Sequence, residues 1–168
     1  MRIVKPGLLA LAFALLLAAC GFQMRGTAKL PFDTIYMPNA TGGIALNLRR
    51  NIQTGTNTKV VDDPKKAEAK LEFSQETRQK VILSLGTGGK VSEYRLLYRV
   101  GFRVTDVKGG EFLPLNVVQL QRDITFNDTD VLSKEAEEEL LYRDMQSDMV
   151  QQIMRRIAAS KPPKPAVQ

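Results

Sequence analysis

The sequence describes an α+β protein: a two-layer sandwich in which two helices pack on one face of a mostly antiparallel sheet of four to five strands. Three observations lead there. Three stretches between residues 70 and 126 alternate apolar and polar side chains with a period of two. Glycine pairs separate them, as tight strand-to-strand turns require. One segment before them and one after carry apolar residues at helical spacing.

Residues 34–37 (Thr-Ile-Tyr-Met) form a short strand candidate, stopped by Pro38-Asn39. After Thr41-Gly42-Gly43, Ile44, Leu48 and Ile52 recur every four residues and mark one face of a helix, with Gly55 placed to end it. Residues 58–61 suggest a brief second strand before Asp62-Asp63-Pro64. In residues 70–85, Leu71, Phe73, Val81, Leu83 and Leu85 are expected inward, with Lys70, Glu72, Ser74, Glu76, Arg78 and Lys80 outward. Residues 91–105 alternate more cleanly: Tyr94, Leu96, Tyr98, Val100, Phe102 and Val104 inward, Glu93, Arg95, Leu97, Arg99 and Arg103 outward. Residues 111–126 place Val118, Leu120, Ile124 and Phe126 inward, with Arg122 on the same parity; Pro114 indicates an edge or a bulge. The last helix opens at Asp130 or Ser133, either able to cap it, and carries glutamates early and Arg155-Arg156 late, as the helix dipole favours. Leu141, Met145, Met149, Ile153 and Ile157 form its stripe, widened by Leu140, Val150 and Met154.

The amino terminus supplies the chain's most specific motif. Arg2 and Lys5 precede an uncharged apolar run from Leu8 to Ala19, followed by Leu17-Ala18-Ala19-Cys20 at a small-residue cleavage point. About a dozen apolar residues fall short of the ~20 that span a hydrocarbon core. Residues 1–19 therefore read as a lipoprotein signal, and Cys20 as the residue lipidated at the new amino terminus. Residues 20–160 make one folded domain, and residues 161–168 a Pro/Lys-rich tail that cannot continue the helix. Removal of residues 1–19 from the 168 leaves 149 and lowers the formal charge from +6 to +4. The single cysteine is taken by the anchor, so packing alone must hold the fold together. With no histidine, the commonest general base and metal ligand is missing, and no enzymatic activity, metal or cofactor is expected.

Three stretches together resemble the LptE family of lipopolysaccharide-assembly lipoproteins. They are Cys20-Gly21-Phe22-Gln23-Met24-Arg25-Gly26 after the leader, the Gly86–Gly89 turn followed by Ser92-Glu93-Tyr94, and Ser133-Lys134-Glu135 opening a helix that runs through Tyr142-Arg143-Asp144-Met145. The resemblance implies an outer-membrane lipoprotein, lipid-anchored on the periplasmic side. It further implies a plug within the lumen of the β-barrel LptD, assisting the barrel's assembly and the insertion of lipopolysaccharide into the outer leaflet. On this reading Lys90 and Lys134, joined by Arg78, Lys80 and Arg95, are candidate lipopolysaccharide contacts. Arg95, Arg99 and Arg103 are candidate contacts to the barrel wall, or an ordinary solvated strand face. The alternative is a free-standing periplasmic carrier of lipid, which needs a deep apolar cavity.

Overall fold

A computed structural model describes residues 28–163; Cys20, its signal and the end of the tail lie outside them. The order is β1 (Thr34–Tyr36), α1 (Gly43–Gly55), β2 (Lys59–Val61), β3 (Ala69–Leu85), β4 (Val91–Asp106), β5 (Glu111–Thr125) and α2 (Val131–Ala158). The sheet order is β2-β1-β3-β4-β5. The two short strands pair in parallel with each other, and β1 pairs in parallel with the foot of β3, while β3, β4 and β5 form an antiparallel meander.

Both helices cover one face, as expected. Ile44, Leu48 and Ile52 of α1 are fully buried, as are Met145, Met149, Ile153 and Ile157 of α2. They share one core with Leu96, Tyr98, Val100, Phe102 and Val104 of β4. Arg122 keeps its inward parity because α2 answers it: its guanidinium lies 2.6 Å from Asp148. Leu140 is exposed, whereas Tyr142, polar enough to be overlooked in the stripe, is buried and donates its hydroxyl to the Gln79 carbonyl. Pro114 sits where β5 breaks register, between the pairs Phe102–Asn116 and Val104–Leu113.

Two helix ends differ from expectation. Helix α1 ends through Thr56, whose hydroxyl and amide both donate to the Ile52 carbonyl, and Gly55 is merely its last residue. Asp130 holds the N-cap position of α2 without a side-chain cap bond, and Ser133 instead donates back to the Asp130 carbonyl.

The larger correction concerns β3. Phe73 pairs with Phe102 and Gln75 with Gly101, so Ser74 has no partner and the strand bulges there. One extra residue inverts the parity beyond it. Glu76, Arg78, Lys80 and Ile82 now stand opposite the inward Val100, Tyr98, Leu96 and Tyr94, on the helix-covered side. Val81 moves to the open face opposite Arg95, and Val81, Leu83 and Leu85 are exposed instead of buried.

Topology sets the two ends apart. Ala28 bridges to Thr56 at the foot of the sheet, and α2 returns to the same end, where Pro163 lies against the Gly110 turn. The β3–β4 hairpin points the other way; its 17-residue strand spans about 55 Å at ~3.3 Å per residue. The bulge has a direct check by thermal and urea denaturation. Leu71→Ala, before Ser74, is expected to cost about 2–5 kcal/mol, whereas Val81→Thr, after it, is expected to stay within about 0.5 kcal/mol.

Candidate functional site: a cationic tip and a polar sheet face

The hairpin tip is closed by a turn in which Gly88 and Gly89 have φ of 82° and 75°, a conformation that side chains rarely adopt. Beside it, Phe126 extends β5 by one backbone bond to Ser92 and sets its ring edge-on to Tyr94, with centroids 5.2 Å apart. The chain then turns through Asn127–Asp130 into α2. This construction gathers three lysines. Lys80 reaches over the Tyr94 ring at 4.4 Å and pairs with Glu138. Lys134 bonds Thr125 and Glu137. Lys90, the most exposed of the three, pairs with Asp128 at 2.9 Å, and this carboxylate raises the pKa of the ammonium above its usual value.

Of the five expected anion contacts, the structure thus groups Lys80, Lys90 and Lys134. Arg78 lies deeper, with its guanidinium 5.1 Å from the Tyr98 ring and 5.2 Å from the Tyr142 ring. It binds α2 to the sheet. Arg95 projects from the other face and holds Asp123 with two hydrogen bonds, of 2.7 and 2.9 Å. The tip also carries exposed apolar side chains that the strand pattern had placed inside or left unremarked: Ile82, Leu83, Leu85 and, at the start of α2, Leu132, which is 83% exposed. The register shift at Ser74, with further shifts between residues 82 and 85, hid the first three. A leucine in the first turn of a helix, just before a glutamate run, was the available sign of the fourth.

The open face is polar. Arg103 bonds Glu72, which also holds Lys70. Arg99 is exposed between its cross-strand neighbours Thr77 and Gln119 and lines a shallow depression with Gln75 and Gln79. Of the arginine row, Arg95 and Arg103 have carboxylate partners, and Arg99 is left among amides and hydroxyls. A recess of about 680 Å3 at the foot of this face is lined by Lys65, Lys70, Arg103, Glu72, Asp106 and Glu111 among others. Pro64 and Val107 share that lining with the charged groups, and the recess is open to solvent rather than a deep apolar cavity. Among the described residues no cluster of metal-ligating side chains occurs, and no helix is long and apolar enough to cross a membrane.

Residues 32–157, from the segment before β1 to the last turn of α2, match the family model LptE, described as lipopolysaccharide-assembly. The chain belongs to the LptE family. It is 28% identical over 148 residues to the LPS-assembly lipoprotein LptE of Yersinia enterocolitica, a match covering 85% of this chain and 70% of that one. It is likewise 28% identical over 150 residues to the protein of the same name from Pectobacterium atrosepticum, covering 85% and 79%. Among solved structures it is similar to an uncharacterized lipoprotein B from Nitrosomonas europaea, with 42% identity, a TM-score of 0.72 and coverage of 83% and 91%. It is also similar to the rare lipoprotein B of Shewanella oneidensis, with 25% identity, a TM-score of 0.64 and coverage of 75% and 92%. The LptE fold is therefore the fold described above.

The division between structural and free cations is testable. Arg78→Ala is expected to cost about 1–2 kcal/mol, since it empties the space between two tyrosine faces, while Lys90→Ala leaves the melting temperature unchanged. Acid should also act through the open face. Lys70 and Arg103 hold the Glu72 carboxyl below its usual pKa, as Arg95 does for Asp123. Their stabilising contribution is therefore complete above the unfolded pKa of about 4 and is lost as pH falls through the lower folded values. Melting temperature should drop below about pH 4, and Asp123→Asn should flatten that drop.

Proposed function

We propose that this LptE-family protein is an outer-membrane lipoprotein, anchored through Cys20. In this reading it seats in the lumen of the β-barrel LptD as plug and assembly partner, and it helps deliver lipopolysaccharide to the outer leaflet. Residues 1–19 would then be the signal, residues 20–160 the luminal domain and residues 161–168 an appended tail. The observation that carries the reading is the separation of two surfaces on one small body: a lysine-and-leucine tip and a broad polar sheet face.

The tip suits an anionic amphiphile. Lipopolysaccharide combines phosphates with acyl chains, and the tip sets Lys80, Lys90 and Lys134 beside exposed Ile82, Leu85 and Leu132. Each lysine now holds a single carboxylate; the Lys90–Asp128 pair is exposed and well screened by water, and the Lys80 and Lys134 pairs are half-buried. A phosphate carrying more charge and more acceptor oxygens competes for the same ammonium groups. The open face suits the other partner. Barrel interiors are polar, and Arg99, Gln75, Thr77 and Gln119 offer hydrogen bonds in both senses to such a wall. The layout also fits an anchored chain. The eight residues after Cys20 reach Ala28 at the foot of the sheet, at most about 28 Å from the lipid. The tip then stands about 55 Å farther along the strands, away from the leaflet that holds the anchor.

Three measurements bear on this. Palmitate should label the wild-type product and not Cys20→Ala. A large β-barrel should copurify from detergent-solubilised outer membranes, and a preparation free of barrel would refute the plug assignment. Lys90→Glu with Lys134→Glu should weaken binding of purified protein to lipopolysaccharide by at least tenfold at low salt, with a shallower salt dependence, while circular dichroism stays unchanged. Undiminished binding would remove the tip from the proposal.

A further inference from the structure

Among the described residues, one strand position beside the sheet's third strand is unfilled. β1 pairs with β3 only at Ala69 and Lys70, so from residue 71 to residue 85 β3 has a neighbour on the β4 side alone. At its lower end this vacant lane opens from a recess of about 450 Å3, where β1 stops at Tyr36 and the chain leaves past Pro38 toward Gly42.

The phase of the hydrogen bonding shows which groups face the lane. Phe126 donates to Ser92, so in the β4–β5 ladder the even-numbered residues of β4 bond β5, and its odd-numbered residues turn to β3. Leu97 and Arg99 pair with Gln79 and Thr77. The backbone amides and carbonyls of Glu76, Arg78, Lys80 and Ile82 consequently point away from the sheet. The same phase turns Val117 and Gln121 of β5 outward, and there the edge is guarded: Arg156 donates to the Val117 carbonyl and Arg122 to that of Gln121. Among the described residues no such side chain bonds the backbone of the four outward residues of β3. Sheet edges left open over this length invite pairing.

We infer that this lane is a β-augmentation site, filled in the complex by one extended segment of the barrel partner that adds to β3 beside Glu76–Ile82. The inference rests on the proposed partnership with the barrel. A row of alternating backbone donors and acceptors is matched by another extended backbone, and the lane continues the polar face assigned above to the barrel wall. The guest's side chains would meet Gln75, Thr77 and Gln79 on the open side, so uncharged polar residues are expected there. A second copy fits less well. β1 and its outgoing loop block the lane below about residue 73, so two β3 strands can pair antiparallel only about Gln79 or beyond. Centred on Gln79 this sets Arg78 opposite Lys80 of the other copy, and centred on Lys80 it sets Lys80 opposite itself; like charges directly opposite destabilise a strand pair.

Hydrogen exchange at single-residue resolution tests this on the purified complex and on the isolated lipoprotein. The amides of Arg78, Lys80 and Ile82 should slow at least tenfold in the complex, while those of Gln119 and Gln121 on the guarded edge change much less. A stable complex with no selective slowing at β3 overturns the inference and leaves the partnership intact; failure to obtain a complex overturns the partnership. Slowing in the isolated protein, together with a dimer mass, would assign the lane to a second copy and overturn the inference. Ile82→Pro, which deletes one outward N–H at an exposed position, should lower complex recovery several-fold, and Ile82→Thr should not. Should Ile82→Pro fail to fold, exchange in the unmodified complex decides.

Discussion

The unpaired residue at Ser74 governs how the two layers meet. A strand of 17 residues whose side chains alternated without interruption would send Val81, Leu83 and Leu85 under the helices and Glu76, Arg78 and Lys80 into solvent. The bulge reverses this halfway along. Below it β3 supplies Ala69 and Leu71 to the core; above it the strand supplies charged groups that α2 must satisfy. Gly101 sits opposite, where an added Cβ would run into the Ser74 side chain, so the partner strand is shaped to the same irregularity.

What α2 provides follows from that reversal. Its amino-terminal half meets the sheet through polar contacts: Glu138 on Lys80, Glu139 near Arg78, and the Tyr142 hydroxyl on the Gln79 carbonyl. Its second half meets the sheet through Met149, Ile153 and Ile157. Burial of Tyr98 and Tyr142 raises both phenol pKa values, with the Glu76 carboxylate adding to the effect at Tyr98. The folded state therefore favours the neutral phenols, a contribution complete below the unfolded pKa of about 10 and lost as pH rises through the folded values. Half the layer interface is thus a filled apolar core, and the other half is an ordered polar network beneath a helix.

This division leaves the functional surfaces where binding rather than chemistry would use them. Lys90, held by one exposed carboxylate, remains exchangeable, whereas Arg78, placed between two rings, does not. The lysines at the tip and the leucines around them come from β3, the glycine turn after it and α2, the last far from the others in sequence. The open face collects one row from each strand of the meander, and its central arginine keeps its hydrogen-bonding capacity for whatever lies against it.

The two helical stripes, the three long strands with their glycine turns, and the inward row of β4 follow from the sequence alone, because periods of four and of two survive in local order. So does the membership of Arg122 on the inward side, although its partner Asp148 does not. Which way the far half of β3 faces could not be read locally. Val81, Leu83 and Leu85 keep perfect alternation in sequence, and only pairing with β4 shows that a residue is inserted before them and that the register shifts again at Leu83. Helix ends were legible only to within a residue, since Thr56 closes α1 through both its amide and its hydroxyl and Asp130 opens α2 without a side-chain bond. Tertiary structure alone decided that Lys80, Lys90 and Lys134 meet at one end, that Arg95 and Arg99 lie on the opposite face from Arg78, and that a strand's place beside β3 is vacant. Each of these depends on register between strands, a long-range hydrogen-bonding choice that no single segment contains.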